Sequence, residues 1–460
     1  MMMQYSLQQL ADICNAKLFN GVGAVGAVSI AGVSIDSRTI QPGDLFVALR
    51  GENFDAHDFL QDVQASGAVA ALVESVQPAV NFPQLLVKDS VVALGVLAAK
   101  NRQSFNGKII GLTGSAGKTT TKEMMAAILA QLGNPLVTAG NLNNHIGVPL
   151  TLLRLSAEHD CAVIEMGASA LGDIAYLASM VKPDVALITN VSAAHVEGFG
   201  SIENIARGKA EIFASLSPDG VAVINMDNQW TAACSERLLQ TCKLLTFSTQ
   251  KKADVYAGNI EKTELGMSFL LRAQDEECLV QLPFMGEHNV GNAVAAASCC
   301  LAIGVSISAI VAGLKNAQPY KGRLQRKTGK NACTVIDDTY NANPASVQMA
   351  INTLMTCAGQ KIMVLGDMGE LGEQAQQMHA DLGGYARAAG IKTLLATGQL
   401  SSSTVAGFGE GALHFPDWQA LSSHCLDLAN DTTVFLVKGS RSAAMERVVN
   451  VLTSAEEKKL

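Results

Sequence analysis

The stretch Gly114-Ser-Ala-Gly-Lys-Thr-Thr120 holds the densest chemistry in the chain. It leaves the apolar run Lys108–Thr113 and enters a segment with helical character. Glycines there let backbone N–H groups curl around phosphate oxygens, and a helix N-terminus adds partial positive charge. In such a loop Lys118 bridges the β and γ phosphates and the Thr119 hydroxyl holds Mg²⁺. The expected nucleotide contacts are therefore Gly114, Ser115, Ala116, Gly117, Lys118, Thr119 and Thr120, with ATP and Mg²⁺ as the implied ligands. The strict loop pattern has glycine where Leu112 stands. The strand–turn–helix context carries the reading in its place. A second candidate, Glu165, comes near the end of the apolar run Cys161–Met166, where a carboxylate facing the loop suits Mg²⁺. A helix-capping acid is the other reading of that residue.

These groups need a scaffold that brings strand ends together. Short apolar runs ending in polar residues recur at Lys108–Thr113, Cys161–Met166, Val185–Asn190 and Val221–Asn225, with helix-like stretches between them. That is the βαβ pattern of a mostly parallel, doubly covered sheet, in which ligands bind beyond the carboxyl ends of the strands. After a break near Gln318-Pro-Tyr-Lys-Gly322 the alternation restarts at Cys333–Asp337, Lys361–Gly366, Thr393–Thr397 and Thr433–Lys438. Before the loop, residues 1–84 mix short strands with turns, and Gln77–Pro83, with two prolines, reads as a linker. The fold class is α/β in three domains. These are a small α/β domain over 1–84, a central P-loop domain with a parallel sheet over 85–318, and a C-terminal Rossmann-like domain over 319–460.

Composition agrees with this. The 460 residues suit about three domains of roughly 150 residues each. Hydrophobic residues at 48% and charged residues at 16% are right for several buried cores and wrong for a disordered chain. A net charge of −8 without a basic stripe argues against a nucleic-acid partner. The ten cysteines form no CxxC pair and read as buried free thiols of a reducing cytoplasm. The N-terminus lacks the pattern of a signal peptide. The charge-free stretch Ala293–Leu314 is long enough to span a bilayer, but Gly304 reads as a helix stop and Ser306 or Ser308 as an N-cap. Two short helices are expected there and no membrane partner.

The loop alone serves motors, kinases, switches and ligases alike. Its company is more specific. Thr113–Thr120, Asn141-Leu-Asn-Asn-His-Ile-Gly-Val-Pro149, Glu165-Met-Gly167 and Thr189-Asn190 with His195 follow in an order that resembles the Mur ligases of peptidoglycan synthesis. Gly286-Glu-His-Asn-Val-Gly-Asn-Ala293, Asp337-Asp-Thr-Tyr-Asn-Ala-Asn-Pro344 and Leu365-Gly-Asp-Met-Gly-Glu-Leu-Gly372 resemble the branch that joins D-alanyl-D-alanine to UDP-N-acetylmuramoyl-tripeptide. The likeness covers essentially the whole chain. It implies that ATP phosphorylates a carboxylate of the UDP-linked peptide and that the dipeptide amine then displaces phosphate.

The resemblance also assigns residues. His195 becomes a second-metal ligand and, with Lys118 and Lys209, a catalytic residue. Lys209 matches a position where lysine is often carbamylated, which would turn a cation into an anionic Mg²⁺ ligand. Asn289 and Asn292 match positions that read adenine. Arg323, Asp338, Tyr340 and Asn341 match the C-terminal part of the ATP pocket. Asn141, Asn143 and Asn144 fall on the substrate side, with Lys438, Ser440 and Arg441 at a strand end suited to a carboxylate or phosphate. Ile35-Asp-Ser-Arg38 places Ser37 and Arg38 on the uridine diphosphate. The alternative is the MurE-type branch, which adds an amino acid to UDP-N-acetylmuramoyl-dipeptide, but its Asp-Asn-Pro-Arg motif is missing. The expected enzyme is cytoplasmic and monomeric.

Overall fold

The computed structural model describes residues 5–20, 30–51, 54–192, 196–234, 241–264 and 266–454. Its described strands form three sheets.

The first sheet runs, in spatial order, through Lys17–Phe19, Gln84–Leu86, Ala70–Val73, Leu45–Val47 and Val33–Ser34. Its pairs are parallel except for the first. Gln77–Pro83 is therefore not a linker between domains but the connection between two paired strands of this sheet. The reason is burial: Val80 and Phe82 are sunk into the core, and the Gln84 side chain bonds Gln77 on both its N–H and its carbonyl. The strand Gln84–Leu86 also carries the first sheet past residue 84.

The link to the middle sheet is the helix Ser90–Gln103, capped where the Asp89 side chain accepts from the Val92 N–H at 2.9 Å. Asn101 on this helix donates to the carbonyls of Leu152 and Leu155, and Arg102 to those of Val181 and Lys182. One continuous apolar cluster runs from Leu45 and Leu72 in the first sheet to Ile164 and Ile188 in the middle one. The first two units thus share a core.

The middle sheet has the spatial order Glu276–Leu282, Met267–Ala273, Val255–Lys262, Lys243–Ser248, Val221–Asn225, Val185–Ile188, Lys108–Thr113, Cys161–Glu165, Pro135–Val137. From Val255–Lys262 onward it is parallel; the two strands before it are antiparallel. The four strands expected from the sequence are present. The antiparallel extension was not anticipated: Met267–Ala273 alternates buried and half-buried residues, the period-2 pattern of a sheet covered on one face. Lys108–Thr113 lies between Cys161–Glu165 and Val185–Ile188, both later in sequence. The chain order reverses there, and that is where a parallel sheet opens a ligand crevice.

Ala293–Leu314 forms two helices, Glu287–Ala302 and Ile307–Asn316, broken at Gly304 and capped by Ser306. No described helix is long and apolar enough to cross a membrane. The third sheet runs Gln325–Thr328, Thr334–Asp338, Thr433–Lys438, Gln360–Leu365, Thr393–Thr397, Ala412–Phe415, parallel beyond its first pair, with apolar cores on both faces.

Candidate functional site

The loop 114–117 closes on the end of the neighbouring strand. Ser115 donates its N–H to the Asn190 carbonyl at 3.0 Å, Ala116 its N–H to Asn190 Oδ1 at 2.9 Å, and Thr189 Oγ1 donates to the Ala116 carbonyl at 2.6 Å. Ser115 Oγ reaches the Ser192 carbonyl at 3.0 Å. The helix Lys118–Leu129 starts on Gly117, whose φ of +81 a residue with a side chain adopts only at a cost. A Cβ there would also come within 2.4 Å of Asn292 Oδ1. Gly117→Ala should therefore raise KM for ATP roughly 10- to 100-fold, the effect of one strained residue. Steady-state kinetics would show this, with circular dichroism unchanged; an unaltered KM would mean the loop does not need this turn.

Lys118 is half-buried and donates to the Gly114 carbonyl at 2.7 Å. Burial lowers its pKa, against the opposing pull of Glu165. Its ammonium is held back on the loop, within reach of a phosphate cradled there. Glu165 is 2% exposed. Its Oε1 accepts from Asn143 Nδ2 at 2.9 Å and lies 3.5 Å from Thr119 Oγ1, while Oε2 has no hydrogen-bond partner. A buried carboxylate with one oxygen beside a hydroxyl and the other making no hydrogen bond, its nearest cation the Lys122 ammonium at 3.7 Å, fits a hard cation such as Mg²⁺. No group of three or more His, Cys, Asp or Glu that could hold a metal stands among the described residues, so further ligands would come from phosphates, water or a modified side chain.

Lys122, four residues on from Lys118 and so on the same helix face, was missed from the sequence. It is fully buried. Its ammonium donates to the Thr138 carbonyl at 2.8 Å and lies 3.2 Å from Glu123 Oε1 and 3.7 Å from Glu165 Oε2. It also faces the Tyr320 ring. The i,i+4 spacing was the available signal.

The loop opens on a cleft of about 950 Å³. On the middle-domain wall stand Ser115, Ala116, Gly117, Lys118, Thr119, Asn141, Asn143, Asn144 and Glu165. On the other stand Arg323, Tyr340, Asn341 and Arg441, together with Tyr320 and Glu370, which the sequence reading did not single out. The Arg323 guanidinium stacks 4.2 Å from the centre of the Tyr340 ring. Asn144 Oδ1 also accepts from the Gly147 N–H at 2.8 Å, at the start of the helix Gly147–Leu152.

Other expected residues lie behind these walls. Thr120 is buried in the first turn of its helix, and Gly114 backs onto Thr189. Asn292 donates to Asn289 Oδ1 at 2.9 Å and Asn289 to the Met285 carbonyl at 2.7 Å. In this arrangement the two amides brace each other behind Gly117. Lys438, 1% exposed, donates to Asp338 Oδ2 at 2.6 Å and to the Asn341 carbonyl at 2.9 Å. Asp338 Oδ1 accepts from the Leu324 N–H at 3.2 Å. These two charges are engaged with each other and shape the wall that Asn341 presents. Ser440 is buried in the same turn. His288, half-buried nearby, has its pKa pushed down to about 4 by desolvation, so it is neutral at pH 7. Ser37 and Arg38 stand apart in the first unit, with Arg38 exposed and forked onto Asp36.

Lys209 is 1% exposed on the helix Ile202–Ala210, which Ser201 caps. Its ammonium lies 5.9 Å from the centre of the Phe199 ring. Burial, and then the charge of Lys118, push its pKa down to about 7. His195, expected as a metal ligand, lies outside the described residues.

Family models agree with this architecture. The Mur ligase family, catalytic domain, matches residues 29–102; the Mur ligase middle domain matches 112–300; and the Mur ligase, glutamate ligase domain, matches 322–441. The UDP-N-acetylmuramoyl-tripeptide–D-alanyl-D-alanine ligase of Escherichia coli is 44% identical, covering 98% of this chain and 99% of that protein. A crystal structure of MurF from Acinetobacter baumannii superposes with a TM-score of 0.90 at 39% identity, over 97% of this chain and 98% of that one. The MurF ligase of Thermotoga maritima in complex with ADP gives 0.82 at 28% identity, over 92% and 97%. A 2,6-diaminopimelate-adding ligase at 20% identity and a folylpolyglutamate synthase at 18% share the fold. With all three of its segments matched and relatives of this identity along its full length, the chain belongs to the Mur ligase family.

Proposed function

We propose that the protein is an ATP-dependent ligase acting through an acyl phosphate, and that it joins D-alanyl-D-alanine to UDP-N-acetylmuramoyl-tripeptide, the ligation its 44% identical relative is named for. The observation that carries this reading is the single cleft in which Lys118 and Glu165 on one wall face Arg323 and Arg441 on the other. The first step sets a carboxylate against the γ-phosphate, two anions that attract only when cations screen them. Lys118 lies at the phosphate loop, and Arg323 reaches in from across the cleft. Glu165 and Thr119 would hold Mg²⁺, which supplies further screening when bound. Asn143 fixes the carboxylate of Glu165, and Lys122 limits the charge it must bury. The peptide carboxylate attacks the γ-phosphorus and ADP leaves. The dipeptide amine, as its free base, then attacks the acyl carbon, phosphate leaves with the C–O electron pair, and the nitrogen gives up one proton to phosphate or solvent.

Carbamylation of Lys209 belongs to this reading. Only a neutral amine adds to CO₂, and a buried lysine with a pKa pushed down to about 7 is neutral in a substantial fraction of molecules at neutral pH, where an ordinary lysine is almost wholly protonated. The enzyme acts as a monomer in the cytoplasm, where ATP and nucleotide-linked precursors are found. A coupled phosphate-release assay tests the whole: release should require ATP, UDP-tripeptide and D-alanyl-D-alanine together. Rapid ATP hydrolysis with neither acceptor would point instead to a nucleotide-driven switch.

A further inference from the structure

The connection between the middle and C-terminal units, residues 317–324, carries a ring that both units hold. Its turn is local. The Arg323 N–H donates to the Tyr320 carbonyl at 3.0 Å, and Gly322 stands third in the turn with φ +73, a value glycine adopts freely. The Gly322 carbonyl accepts from the Tyr340 N–H at 3.1 Å. A Cβ on Gly322 would lie 3.0 Å from that nitrogen, so the close approach also asks for glycine. The turn is thereby docked on the segment that carries Tyr340, with Tyr320 and Arg323 at its two ends.

From there the side chains form a line across the hinge. The Lys122 ammonium lies 5.9 Å from the centre of the Tyr320 ring. The Tyr320 and Tyr340 rings meet edge to face, with centres 6.1 Å apart and planes at 79°. The Arg323 guanidinium stacks on Tyr340 in turn. One end of the line is fixed: Lys122 is fully buried, donates to the Thr138 carbonyl and lies 3.7 Å from Glu165 Oε2. An ammonium out of water holds a ring more firmly than an exposed one does. The other end is looser. Arg323 Nε is buried and makes no hydrogen bond, so the ring stack sets where this guanidinium stands and leaves its charge for an anion.

We propose that Tyr320 is a positioning residue: through its ring the buried Lys122, beside Glu165, fixes where Arg323 stands across the cleft. The role in the first step rests on the ligase reading above. Tyr320 acts through Arg323 and need not touch ATP. It sets the separation of Lys118 and Arg323, the cations between which the two anions of that step must meet, and such a reaction is sensitive to placement.

The test uses the full-length enzyme, Mg²⁺ with the non-hydrolysable β,γ-methylene analogue of ATP, and titration calorimetry. Tyr320→Leu should weaken binding of the analogue roughly 3- to 30-fold, the range for losing a cation–π contact between partial and full desolvation. Tyr320→Phe keeps the ring and should recover most of that affinity. Arg323→Gln should weaken binding at least as much as Tyr320→Leu. Adding Tyr320→Leu to Arg323→Gln should then cost no more than about twofold further, because the two act as one unit; a purely structural role would multiply the losses. Phosphate release should show the same order in kcat. Tyr320→Met, apolar and flexible, takes the place of Tyr320→Leu if the latter does not fold. Wild-type affinity in the Leu or Met variant overturns the proposal. So does a Tyr320→Phe as weak as Tyr320→Leu, or a full multiplication of losses in the double variant. If these bindings come out as expected but wild type releases phosphate without both acceptors, the ligase reading fails and the placement of Arg323 by Tyr320 stands.

Discussion

Replacing Lys209 by alanine should lower kcat by about a hundred- to a thousand-fold, the range for removing one preorganised charge from a reaction site, and short carboxylates such as formate or acetate should restore part of it. The side chain is sealed from solvent, its pKa lies near 7, and the charge it feels is that of Lys118, a like charge. A permanent ammonium there would be buried beside another cation. A carbamate removes that conflict and adds an anionic oxygen. The pH dependence has a definite sign. Because the folded pKa is below the usual lysine value of 10.5, the native state binds fewer protons than the unfolded state between about 7 and 10.5. For this group alone, stability therefore rises with pH through that window and is lowest below about 7. Activity in CO₂-depleted buffer should fall at neutral pH and return with bicarbonate. Full activity of Lys209→Ala, or a folded variant that no carboxylate rescues, would remove the carbamate from the mechanism.

The second large effect concerns stability. Lys438→Met should destabilise the C-terminal unit by about 3–5 kcal/mol, because it leaves Asp338 buried without its partner. The pair is short, at 2.6 Å, and the same ammonium holds the Asn341 carbonyl. Burial lowers the Lys438 pKa and the Asp338 carboxylate opposes that shift, so the pair is stable only together. Lys438→Met with Asp338→Leu should recover much of the loss, since both charges then go. Urea unfolding followed by tryptophan fluorescence measures this; Trp418 sits in the same unit, against Arg447. A loss under about 1 kcal/mol would show that the pair is hydrated.

Much of the loop side of the cleft was legible in the chain. Gly117, Lys118 and Thr119 lie within one turn, so their geometry is local and their spacing reports it. Glu165 was legible for a related reason: parallel strands deliver their carboxyl ends to one edge, whatever separates them in sequence. The C-terminal half was harder. Lys438 and Arg441 look alike as basic residues three apart, yet one is 1% exposed and bound to Asp338 while the other lines the cleft. Asn289 and Asn292 look like free amides and are turned to each other. The two prolines of 77–83 suggested a domain linker, and the burial of Val80 and Phe82 made it part of a sheet.

By itself, then, the sequence determined the α/β alternation, the phosphate loop and the likeness to an amide-forming family, because these depend on short-range periodicity and on motifs kept in order. Only the tertiary structure decided which charges pair and which face the cleft. It buried Lys122 and Lys209 and engaged Lys438 with Asp338. Whether a charged group is spent on the fold or left for a substrate depends on its desolvation and on partners such as Asp338, a hundred residues from Lys438, and no local pattern records that.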